Sequence, residues 1–86
     1  MTRDDVLEVI KANFLEIMED LDPADLDPSK SMKDYGATSL DMVEVVSASM
    51  RELRVKIPRS ELNEIKNIDG LVDALFAAWQ EKNPAA

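Results

Sequence analysis

Ser39 is the residue of this chain best placed to do chemistry. It sits in Tyr35-Gly36-Ala37-Thr38-Ser39-Leu40-Asp41, where a turn signal at Gly36 gives way to the apolar spacing of a helix from Leu40. A serine there has its hydroxyl held out from a rigid element. It also lies beside backbone N–H groups that the helix leaves free and that favour an anion. The chain has no cysteine and no histidine. It supplies no thiol of its own and lacks the usual general base for an activated serine. Chemistry at Ser39 therefore points to a group attached by another enzyme rather than to a nucleophile. The structural reading stands beside it: serine is a preferred helix N-cap. Thr38 offers a second cap where one suffices.

No other constellation competes. Asp20, Asp22, Asp25 and Asp27 lack calcium-loop spacing, with no glycine at the sixth position and no glutamate at the twelfth. Without cysteine and histidine, disulfides and the common zinc ligands are excluded, and no metal site is expected. So small a chain assembles no cleft with a pair of catalytic carboxylates. The formal net charge of -8 argues against a nucleic-acid surface or an anionic membrane and for partners with basic patches. Met1-Thr2-Arg3-Asp4-Asp5 opens no signal peptide, and no apolar run reaches membrane length, so the expected location is cytoplasmic.

The elements that must hold Ser39 are helical. Val6, Leu7, Ile10, Phe14, Ile17 and Met18 recur at helical spacing, predicting a first helix from Arg3 to about Asp20 with Asp4 and Asp5 at its positive end. Asp22-Pro23 and Asp27-Pro28 then interrupt it. An ordered loop should run to Gly36, tacked down by Leu21, Leu26, Met32 and Tyr35. The second helix runs from Ser39 to Leu53, with Met42, Val45, Val46, Ser49 and Leu53 inward. Val55 and Ile57 alternate without a partner strand, and Pro58 stops them. Ser60–Glu64 reads as a short helical turn. A last helix from Ile68 to Gln80 or Lys82 is capped by Asn67, and residues 82–86 read as a frayed tail. The fold class is all-α: a single domain over 1–86, a small four-helix bundle of three main helices and one short one with a long first loop.

A second stripe on the second helix, Leu40, Val43, Ser47 and Met50, lies to one side of the inward face. Asp41, Glu44 and Arg51 lie beyond it toward solvent. Two readings fit the stripe: the edge of a wide core face, or a docking surface beginning beside Ser39.

Taken together, these residues resemble an acyl carrier protein over nearly the whole length. The resemblance rests on Gly36, two residues, then Ser39-Leu40-Asp41, continued by Val43-Glu44-Val45-Val46 and by Ile57-Pro58. It implies a 4'-phosphopantetheine on Ser39, supplying the missing thiol, with acyl groups riding on it as thioesters. Two departures qualify it. Most members have Asp before the serine where this chain has Thr38, and many fatty-acid carriers are acidic where it has Met50 and Arg51. Both point toward a specialised pathway.

A narrower resemblance, in Ile57-Pro58-Arg59, Glu61-Leu62 and Lys66-Asn67-Ile68 with Leu71 and Asp73, is to stand-alone carriers of polyketide β-branching cassettes. Such a carrier presents acetyl, formed by decarboxylation of a malonyl load, to an HMG-CoA-synthase-like enzyme. The implied partners are a phosphopantetheinyl transferase, an acyltransferase, a decarboxylase and that synthase, with the carrier a monomer and not itself an enzyme. Arg59 and Lys66 read either as ordinary surface charge or as partner discrimination. A peptidyl carrier, and an unmodified adaptor whose Leu40–Met50 stripe binds a helix, are the alternatives.

Overall fold

Thr2 and Asp5 start the first helix by a reciprocal pair of bonds, with the Asp5 carboxylate accepting from Thr2 N–H at 2.9 Å and Thr2 Oγ1 accepting from Asp5 N–H at 3.3 Å. In a computed structural model that describes residues 1–84, helix α1 spans Arg3–Ile17, α2 Ser39–Leu53, α3 Arg59–Leu62 and α4 Ile68–Lys82. No strand occurs among the described residues, so Val55 and Ile57 are buried without a sheet. Among the described residues, no helix is long and apolar enough to cross a membrane.

α1 packs against both α2 and α4. Its Val6, Ile10 and Phe14 are wholly buried, one helical turn apart. They meet Val45 and Leu53 of α2 and Leu71, Val72 and Leu75 of α4 in one core. Each such side chain contributes about 1.5–3 kcal/mol by leaving water. Ser49 is the buried polar residue of this core, and its Oγ accepts from Asn13 Nδ2 at 3.3 Å across the α1–α2 contact. The same amide donates to Val9 O at 3.0 Å.

α1 ends three residues before the expected Asp20. Continuing it would set Glu19 and Asp20 at the negative end of the helix dipole. Instead Met18 leaves the helical region, and Met18 and Leu21 turn onto the core half-buried. The long loop is ordered by short 3-10 turns at Pro23–Asp25 and Met32–Tyr35. Its aspartates serve those turns: Asp22 accepts from Ala24 N–H at 2.9 Å, and Asp27 from Ser29 N–H at 2.9 Å and Ser29 Oγ at 2.7 Å. The Ser29 hydroxyl, then its amide, hold the Asp27 carboxyl below the usual Asp range; desolvation opposes them, and the charge of Lys30 adds a lesser lowering.

The loop is also bonded to α4. Lys30 O accepts from Ile68 N–H at 3.0 Å and Pro28 O from Asp69 N–H at 2.9 Å, while Asn67 Oδ1 takes Gly70 N–H at 2.7 Å. Three of the orphan first-turn donors of α4 are thus satisfied, two of them by a distant main chain. The short helix is Arg59–Leu62 rather than the expected Ser60–Glu64. At the other end of the chain, Lys82 lies within α4 and its Nζ donates to Arg54 O. Asn83 N–H donates to Trp79 O at 3.0 Å, so 82 and 83 are not a loose tail; Ala85 and Ala86 lie outside the described residues.

Candidate functional site

The approach to Ser39 is built by Gly36. A left-handed residue is needed to close the 3-10 turn, and Gly36 adopts it at φ 91°. Its N–H returns to Lys33 O at 3.0 Å, and Ala37 N–H to Met32 O at 3.3 Å. Ala37 is then buried, which anchors the chain one step before α2 begins.

Thr38, not Ser39, caps α2. Thr38 Oγ1 accepts from Asp41 N–H at 3.1 Å, and the Asp41 carboxylate accepts from Thr38 N–H at 3.0 Å. The N-cap reading of Ser39 is therefore corrected: Ser39 is the first residue inside the helix, exposed, and its hydroxyl bonds to no described residue. Threonine wins because the capping box needs a carboxylate three residues on, and only position 38 finds one, at Asp41. Asp41 is likewise half-buried by this bond rather than fully turned to solvent. The N–H groups of Ser39 and Leu40 have no helical acceptor upstream, and none of the described residues fills that role. A free hydroxyl beside two free amides fits a phosphodiester, and the positive end of a 15-residue helix favours its charge.

The second stripe of α2 divides in two. Leu40 is 81% exposed and Val43 56%, with Glu44 exposed beside them. These two are no part of a core edge. Ser47 and Met50 are half-buried, and Met50 packs on the core while its Sδ accepts from Ile57 N–H at 3.3 Å. The lower stripe is thus wall as well as surface. Met42 and Val46, expected inward, are only half-buried. They face a groove of about 630 Å³ between α2 and the α3–α4 segment, with Leu62 and Ile65 on the far wall. Exposed Arg59 and Lys66 line the same groove, opposite Val43.

Ile65 was not singled out in the sequence, and Leu62 entered only through the narrower resemblance, not as a wall of a groove. Their signal was faint, two apolar residues at a spacing of three in an otherwise polar segment. Tyr35, expected to tack the loop down, does so. Its ring stands edge-on to Phe14 with centroids 6.0 Å apart, and its hydroxyl accepts from Asp27 N–H at 2.5 Å and donates to Asp25 O at 3.1 Å. It fastens the loop next to the turn that presents Ser39.

Four similarities to known proteins bear on this site. The phosphopantetheine attachment site family matches residues 8–75. The polyketide biosynthesis acyl-carrier-protein AcpK of Bacillus subtilis (strain 168) is 33% identical over 76 residues, covering 88% of this chain and 93% of that protein. An acyl carrier protein of Thermosynechococcus vestitus is 32% identical over 74 residues, covering 85% and 90%. Among solved structures, a chain from the curacin biosynthetic pathway HMG synthase in complex with acetyl donor-ACP superposes with a TM-score of 0.78 at 40% identity. That match covers 91% of this chain and 99% of the other.

Proposed function

We propose, because this chain belongs to the phosphopantetheine-attachment family of acyl carrier proteins, that Ser39 Oγ carries the arm and that the load is an acetyl group for a β-branching synthase. The observation that carries the first half is the division of labour at the start of α2. Thr38 and Asp41 close the helix end between them, leaving the Ser39 hydroxyl exposed and unbonded. The family's 4'-phosphopantetheine supplies a thiol that holds acyl groups as thioesters, which this cysteine-free chain lacks. The amides of Ser39 and Leu40 serve the phosphodiester as donors. The protein itself transforms nothing; it is loaded and unloaded by a phosphopantetheinyl transferase, an acyltransferase, a decarboxylase and an HMG-CoA-synthase-like enzyme.

The second half draws on the solved complex. The matched chain there is covered almost completely by a chain of this size, so the likeness is to the donor carrier rather than to a larger enzyme. Leu40 and Val43 are the apolar contact for an enzyme at Ser39, with Ser47 and Met50 continuing it into the groove. Asp41 and Glu44 rim one side of that contact, and Arg59 and Lys66 the other. A rim of both signs rejects partners that carry only one.

Co-expression with a broad-range transferase should raise the intact mass by one arm in the native chain and not in Ser39→Ala. The acetylated protein should then pass its acetyl to an HMG-CoA-synthase-like enzyme faster than to a ketosynthase. An unchanged mass in the native chain would make it an adaptor. Arm attachment without acetyl transfer would leave a carrier of a different pathway.

A further inference from the structure

Away from the Ser39 end the surface charge reverses. Arg51 and Arg54 at the close of α2, Lys56 just beyond and Lys82 of α4 ring a depression of about 770 Å³, with Glu81 the acid among them. The chain has 10 Lys and Arg against 18 Asp and Glu, so four of its cations gathered around one acid is a local inversion. Lys82 is committed to the Arg54 carbonyl. Arg51, Arg54 and Lys56 have no carboxylate within ion-pair distance among the described residues. The floor between them is formed by Met50, Val55 and Ala78. Val55 is held there by its N–H, which returns to Met50 O at 3.0 Å.

We propose that this depression is a second docking surface, whose occupant is an acidic amphipathic helix of a partner protein. Apolar side chains of that helix seat on Met50, Val55 and Ala78, and its carboxylates meet Arg51, Arg54 and Lys56. Charge complementarity selects the occupant: arginine pairs carboxylates bidentately, and the depression repels a basic segment. A second copy of the chain is disfavoured, because each copy carries a net charge of -8. Position gives the surface its use. At 1.5 Å per residue, Arg54 is about 22 Å along α2 from Ser39. Ser47 and Met50 border both surfaces. A partner held here still leaves Leu40, Val43 and Ser39 open, so enzymes that contact the Ser39 end through those residues exchange while the protein stays tethered. The surface does not depend on what Ser39 carries.

The test uses the full-length ¹⁵N-labelled protein and synthetic amphipathic helices as probes. The Leu/Glu peptide should shift the amides of Ser47, Val55, Ala78 and Lys82. The Leu/Lys counterpart and an all-Glu peptide without leucine should bind much more weakly. The triple variant Arg51→Gln, Arg54→Asn, Lys56→Gln should weaken the Leu/Glu peptide by about tenfold, the scale of three rim charges. Asn is chosen at 54 because it tolerates the left-handed backbone there. If the triple variant fails to fold, Arg51→Gln and Lys56→Gln singly should each lower affinity. The proposal is overturned by absence of binding, by shifts centred on Leu40 and Val43, or by equal affinity in the charge variants. Equal binding of the all-Glu peptide, or concentration-dependent shifts without peptide, would overturn it too.

Discussion

At the scale of single residues, the pair Thr38 and Ser39 separates two jobs that the sequence alone left undivided. Thr38→Ala should cost about 0.5–2 kcal/mol, as a lost cap does. Ser39→Ala should leave stability within about 0.5 kcal/mol while abolishing arm attachment. Chemical denaturation and intact mass measure both; a large stability loss in Ser39→Ala would return the cap to Ser39. The apolar stripe splits by the same comparison. Val43→Glu should stay within about 0.5 kcal/mol of the native stability and weaken enzyme docking. Met50→Glu should cost roughly 1–3 kcal/mol, because Met50 is half-buried and accepts the Ile57 amide. Docking charge is best tested at Glu44. Glu44→Gln should slow association with a cognate enzyme at low salt and leave dissociation unchanged, by stopped flow. Asp41 is the poorer probe, since its carboxylate also closes the cap.

At the scale of elements, α2 and α4 were legible to the residue at their starts, because each carries both a cap and a strong apolar period. The placement of Ser39 at the head of α2 followed from Gly36 and that period. The end of α1 was not legible. Its last turn has no glycine, and what stops it is the demand of Met18 and Leu21 for the core. The end of α2 was read correctly at Leu53, but the closing residue, Arg54, holds φ 58° with no glycine or asparagine to announce it. The groove was invisible for another reason: Arg59, Leu62, Ile65 and Lys66 meet α2 only across the fold. The loop element carries a pH prediction through Asp27. Its carboxyl is held below the ordinary Asp value by Ser29 and Lys30. A lowered folded-state value stabilises the fold above the ordinary value, and the gain disappears as pH falls through the lowered one. Asp27→Asn should therefore destabilise the chain at neutral pH, and the gap to the native chain should close below about pH 4. Urea midpoints across that range measure it.

For the molecule as a whole, the charge balance and the small core pull in opposite directions. A net charge of -8 on 86 residues repels itself most strongly in the compact state. Added salt should raise the melting temperature, with most of the gain complete by about 1 M, where the screening length is about 3 Å. A melting temperature that falls with salt would mean that the two ion pairs among the described residues, Arg3 with Asp73 and Lys11 with Glu8, outweigh the repulsion. Composition made the acidic character plain, but not its arrangement. The acids beside Ser39 and the cations around Arg54 lie at opposite ends of one helix, a polarity that only folding creates.

The two carbonyls that the long loop offers to α4 make that loop a measured length of chain. Lys30 O and Pro28 O are main-chain acceptors, so most side chains between Asp27 and Met32 can be exchanged without touching the bonds they make. Removing or adding one residue is another matter. It would pull both acceptors out of register with Ile68 and Asp69, and the far wall of the groove would shift with them. Over this stretch, descent should tolerate substitution freely and gaps hardly at all.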